Sequence, residues 1–140
     1  MAYWLLKTEP DVFSWDDLVN KGSPEEWTGV RAFQARNNMR TMKLGDLCFF
    51  YHSNVGKEVV GICRVAAEAH PDSTAELKNG KVVWECVDVE PVEPFKRAVT
   101  LEEIKATPEL KDMVLVNNSR LSVQPVREDE WKLICKMGGL

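Results

Sequence analysis

The sequence predicts an α+β domain: a small, mixed but largely antiparallel β-barrel surrounded by short helices. Three observations predict it. Segments rich in β-formers recur along the 140 residues without the regular strand–helix–strand alternation of a parallel sheet. Helix-start signals interrupt them at Ser14 and Thr100. Closing such short strands into a barrel removes the edges they would otherwise expose. A chain of this length is expected to be a single domain, residues 1–140, burying roughly two-thirds of its unfolded surface without staples.

The elements follow in order. Tyr3 to Thr8 is aromatic and aliphatic, closes on Glu9-Pro10 and reads as a strand. Ser14 caps a short helix over Trp15 to Asn20, with Asp16 and Asp17 in its first turn. A second helix is predicted from about Ala32 to Met42, stopping before Gly45. Asp46–Ser53 and Val59–Ala69 are strands by composition, and Lys81–Val92 follows the hairpin signal Asn79-Gly80. Thr100 and Glu103 make a capping box, and Pro108 to Asp112 is one further turn. Met113–Val116 and Leu121–Val126 read as short strands around the polar loop Asn117–Arg120, and Arg127–Met137 as a closing helix.

Composition narrows the function. The formal net charge is −4, so nucleic acid can be held only through a local basic patch, not by overall charge. No apolar run is long enough to span a bilayer, and the start lacks a signal-peptide pattern, so a cytoplasmic protein without membrane contact is expected. Cys48, Cys63, Cys86 and Cys135 lack zinc-ligand spacing and read as core thiols. No metal or cofactor is expected, and no obligate protein partner is implied.

Four constellations carry chemistry. Trp27 to Lys43 holds four cations, Arg31, Arg36, Arg40 and Lys43, with no acid between Glu26 and Asp46. Arg36, Arg40 and Lys43 share one helix face at i, i+4, i+7, and Gly29 precedes the helix where free amides can meet a phosphate or base edge. By charge spacing alone the favoured reading is a solvated basic helix with Trp27 as a packing anchor. Lys7 and Glu9 flank Thr8 on one side of an extended chain, free to meet a polar ligand or each other. Along Phe49–Asn54, Cys48, Phe50 and His52 face one way and Phe49, Tyr51 and Ser53 the other, an apolar wall ending in polar groups. Asn117 to Pro125 offers amides, hydroxyls and the Arg120 guanidinium. His52 has no neighbouring nucleophile or carboxylate pair to complete a triad, and His70 reads as a turn residue.

In this order, Trp-Leu-Leu-Lys-Thr-Glu-Pro, Trp-Thr-Gly-Val-Arg-Ala-Phe-Gln-Ala-Arg-Asn, Phe-Tyr-His-Ser-Asn, His-Pro-Asp and Arg-Leu-Ser-Val-Gln-Pro resemble the EVE domain family across essentially the whole chain. The resemblance implies a PUA-like fold, related to the YTH readers of methylated adenine in RNA. It implies a non-catalytic domain that recognises a modified nucleobase, modified cytosine in DNA foremost, flipped into an aromatic pocket. Carried over by position, Trp27, Gly29, Val30 and Arg31 line the pocket, with Lys7, Thr8 and Glu9 beside it and Tyr51, His52, Ser53 and Asn54 as a third wall. Arg36, Arg40, Lys43 and Arg120 would contact the nucleic-acid backbone. The family often has Asn where this chain has Ala32, a departure that bears on which base fits. DNA and RNA both remain open as partners. A small metabolite or free nucleotide in the same pocket is the alternative ligand, and chemistry by His52 with Glu9 or Ser53 ranks last.

Overall fold

The structure is a computed structural model that describes residues 1–140. Six strands form one sheet: β1 (Tyr3–Thr8), β2 (Glu25–Glu26), β3 (Leu47–His52), β4 (Glu58–Pro71), β5 (Glu85–Thr100) and β6 (Val123–Val126). Their order is β2-β5-β4-β3-β1-β6. Only β1 and β3 run parallel, with Leu5 opposite Phe49 and Thr8 opposite His52, and every other pairing is antiparallel.

Five α-helices surround the sheet: α1 (Trp15–Lys21), α2 (Phe33–Thr41), α3 (Leu101–Lys105), α4 (Val114–Asn117) and α5 (Glu128–Met137). Helix α2 packs against both β5 and β6, four places apart in the sheet. A flat sheet would hold those strands ~19 Å apart, wider than the ~10–12 Å of a helix. The sheet therefore curls around α2 as a partly closed barrel, as the strand pattern predicts.

Strand alternation creates two cores. Trp4, Leu6, Cys48 and Phe50 face α1 and α2, joining Leu18, Ala35 and Met39. Leu5, Phe49 and Tyr51 face the other way, joining Ile104, Leu115, Trp131 and Ile134. Both faces of β1 and β3 are thus buried, which explains their nearly continuous apolar runs.

The capping boxes at Ser14–Asp17 and Thr100–Glu103 form as expected. Asn79 and Gly80 both take positive φ, 52° and 74°, and Lys78 bridges Lys81, giving the hairpin turn. The two-residue strand β2 was not foreseen, and two predicted elements differ from expectation. Strand β5 runs to Thr100 through Pro91 and Pro94. Beyond Val89 it has no partner on its outer side, and the prolines fall beside register shifts, so their missing N–H groups cost no ladder bond. Met113–Val116 is not a strand: Val114–Asn117 is helical, and the Asn117 amide donates back to the carbonyls of Lys111 and Met113 at 2.9 and 3.1 Å. A four-residue apolar run has no readable period.

Candidate functional site

The Trp27 loop is built by backbone bonds and one carboxylate. The Trp27 amide donates to Val87 O at 2.8 Å and seats the ring in the first core. Its indole meets Phe13 edge-on at 6.2 Å and Phe50 at 5.6 Å. Val30 is buried behind it. Gly29 has φ 87°, the left-handed region open to glycine. Asp72 Oδ2 accepts the Gly29 amide at 2.9 Å and Arg31 Nη1 at 3.0 Å, while Oδ1 accepts the Thr74 amide and hydroxyl at 2.7 and 2.6 Å. Burial works to raise the Asp72 carboxyl pKa, but bonds from Thr74, Gly29 and Arg31 outweigh it and hold the group at about 2. The anion clamps the loops 27–31 and 71–74 together. Sequence reading gave Asp72 no role, because its bonds to Gly29 and Arg31 reach across more than 40 residues of sequence.

The expected third wall divides at β3. Tyr51, Ser53 and Asn54 line a cavity of about 290 Å³ with Lys7, on the face away from Trp27. Lys57, Leu101, Lys105, Leu115 and Ser119 complete it. His52 points to the Trp27 side: its ring lies 5.7 Å from Phe50, and its Nε2 accepts the Trp15 amide at 3.1 Å. Burial lowers its pKa, partly offset by Glu58 and Asp16, so it sits there as a neutral acceptor. Burial raises the Tyr51 phenol to about 12, with Glu58 adding to the effect.

The first-strand element is split as well. Lys7 Nζ donates to Ser119 O at 2.6 Å and lies 5.7 Å from the Tyr51 ring centre. Burial lowers its amine pKa. Thr8 Oγ1 donates to Phe13 O at 3.0 Å, fixing the turn that carries Phe13. Glu9 is exposed, and its carbonyl accepts the amides of Val12 and Phe13 at 2.9 Å each. Lys7 and Glu9 form no ion pair.

Two of the helix cations are engaged within the protein. Arg36 donates to Val83 O at 2.8 Å, and its guanidinium lies 4.8 Å from the Phe33 ring, itself stacked on Trp84 at 5.0 Å. Arg40 pairs with Glu85. Lys43 and Arg120 are exposed and have no carboxylate partner. Ala32 is the N-cap of α2 and makes no side-chain capping bond. An Asn at this position could supply one.

Folding also gathers Glu26, His70 and Cys86, whose donor atoms lie within 4.8 Å of one another. Each is already engaged. Glu26 accepts from the Ser73 amide and hydroxyl, at 2.7 and 2.9 Å, and from Cys86 Sγ at 3.5 Å. His70 Nε2 meets Asp88 at 2.7 Å. Burial and Glu26 push the Cys86 thiol far up, so it remains a protonated donor. His70 thus closes a network at the end of β4 rather than standing in a free turn.

Comparison with known proteins identifies the family. The EVE domain family model matches residues 2–137. Thymocyte nuclear protein 1 of Mus musculus is 37% identical over 166 aligned residues, covering 96% of this chain and 73% of that protein. A crystal structure of an Agrobacterium tumefaciens protein superposes with a TM-score of 0.95 at 54% identity, over 100% of this chain and 94% of that one. The human THYN1 protein, crystallised in complex with 5-methylcytosine-containing DNA, gives 0.92 at 33% identity, over 100% and 99%. At 12% identity the ASCH protein of Zymomonas mobilis, with a TM-score of 0.59, shares the PUA-like fold alone. This chain belongs to the EVE domain family.

Proposed function

We propose that this chain reads a modified nucleobase in DNA, of the modified-cytosine class, by taking the base out of the duplex and seating it against Trp27. The observation that carries this reading is the full-length similarity to human THYN1, whose structure holds 5-methylcytosine-containing DNA. The Trp27 loop supplies what such a site needs. The Trp27 ring, buried against Phe13 and Phe50, would stack a base once uncovered, worth ~1–3 kcal/mol. Asp72 takes up the Gly29 amide and so fixes the loop, and it holds the Arg31 guanidinium in place before binding. Entry requires the half-buried Phe13 ring to yield its edge contact with Trp27. Lys43 and Arg120, free of carboxylates, are the cations best placed in charge terms to meet phosphates. Arg36 and Arg40 would first have to leave Val83 and Glu85.

The proposed activity is binding alone. The His52 acceptor nitrogen is held by the Trp15 amide and faces away from Ser53. Fluorescence anisotropy with 5-methylcytosine and cytosine duplexes at matched salt tests the reading. The modified duplex is expected to bind several-fold tighter, and a Trp27→Leu variant with native circular dichroism to lose the difference. Equal affinities for the two duplexes sink the proposal.

A further inference from the structure

The cavity on the opposite face of β3 has a composition unlike the rest of this acidic protein. Three lysines reach it: Lys7 from β1, Lys57 from the β3–β4 loop and Lys105 from the end of α3. None of its nine lining residues is acidic. All three amines lack a carboxylate partner, whereas Arg31, Arg40, Arg64, Arg97 and Arg127 are each ion-paired. Neutral donors complete the lining, from the Ser53 and Ser119 hydroxyls and the Asn54 amide.

The Ser53–Lys57 loop borders the cavity through Ser53, Asn54 and Lys57, while Gly56 lines the neighbouring hollow beside Glu102. Asn54, Gly56 and Lys57 take positive φ, at 68°, 89° and 50°. Their three backbone N–H groups donate to no protein acceptor. The Val55 amide between them is taken by Ser53 O at 2.8 Å, which leaves the Asn54 and Lys57 amides as the main-chain donors at the cavity rim.

We propose that this cavity is a phosphate-binding site, formed by Lys7, Lys57, Lys105 and the Ser53–Lys57 loop, separate from the Trp27 loop. Lys7 is the fixed member, held over Tyr51 by its bond to Ser119 O, and a phosphate would offset the charge that burial disfavours there. Lys57 and Lys105 are exposed and close from the solvent side. The volume, about 290 Å³, is near the lower end of ligand pockets, roughly 300 Å³. It fits a small phosphate-bearing group rather than a large ligand. A nucleic-acid strand offers this chemistry as an internal phosphodiester, and a strand end or free nucleotide as a monoester.

The test is an amide NMR titration of the ¹⁵N-labelled protein with inorganic phosphate, and in parallel with dimethyl phosphate, against sodium chloride of equal ionic strength. Saturable shifts are expected at Ser53, Asn54, Lys57 and Ser119. Binding should weaken about tenfold or more in a Lys57→Gln, Lys105→Gln double variant, both positions being exposed. A response to dimethyl phosphate identifies a diester site, and a response to inorganic phosphate alone a monoester site. Shifts no greater than those with chloride, or affinity unchanged in the double variant, overturn the proposal. Neither ligand contains a base, so this outcome is independent of the Trp27 reading.

Discussion

Asp72 Oδ2 accepts the Gly29 amide proton at 2.9 Å, joining two loops 43 residues apart in sequence. The same oxygen meets Arg31 at 3.0 Å, so one buried carboxylate sets both the turn after Trp27 and the cation that follows it. The Asp72 pKa, about 2 in the folded chain against an ordinary 3.8, makes this a stability statement. A depressed folded value gives stability that is full above the unfolded pKa and is lost as pH falls through the folded one. Acid between about pH 4 and pH 2 should therefore remove on the order of 2–3 kcal/mol from this site. Urea unfolding at stepped pH should show the loss in the wild type and a smaller one in Asp72→Asn. The variant should also be less stable at neutral pH.

The two histidines should titrate on opposite sides of the ordinary value. Burial depresses His52, whose contribution is present above the unfolded pKa of ~6.5 and is lost as pH falls through its lower folded value. At His70 burial also acts downward, but Asp88, the Pro71 carbonyl and Glu26 prevail and raise the pKa. Its contribution is full below ~6.5 and lost as pH rises through the raised value. NMR titration of the imidazoles should find His70 above His52, and the Trp15 amide should move with His52. The reverse order would refute these two environments.

Ala32→Asn should stabilise the protein by roughly 0.5–2 kcal/mol, because Ala32 caps α2 without a side-chain bond and its backbone is already extended. A shift in the urea midpoint with unchanged slope is the readout. If the amide acts only as a cap, the preference between modified and unmodified duplex will not change. A changed preference would assign the position to ligand recognition.

Gly61→Ala should destabilise by about 1–3 kcal/mol. A Cβ there would lie 2.7 Å from the Trp15 ring, which is packed against Phe50 and cannot retreat freely. Thermal denaturation should show a clear fall in Tm, while Gly80→Ala, with no neighbour within 4 Å, loses only what its positive φ of 74° costs. Equal effects at the two sites would contradict this packing.

Much of the fold was legible because it is written in short-range chemistry. Ser14 with Asp17, Thr100 with Glu103, and the Asn79-Gly80 turn act over a few residues, and each forms as read. The alternation in Phe49–His52 also held, since strand side chains must point to opposite faces. The β5 extension and the α4 helix were not legible, because the first depends on an empty strand edge and the second on a four-residue run with no period.

The candidate site divides along the same line. Sequence alone determined the family, the α+β class and the residue types available to a ligand, because these follow from motifs contiguous in the chain. Only the tertiary structure decided how those residues group. Strand alternation sends His52 toward Trp27 but Lys7, Tyr51 and Ser53 to the far cavity, the pairing of β2 and β4 on either side of β5 brings Asp72 to Gly29, and the packing of α3 brings Lys105 to the cavity of Lys7. Such groupings arise from packing between segments distant in sequence, which no local pattern encodes.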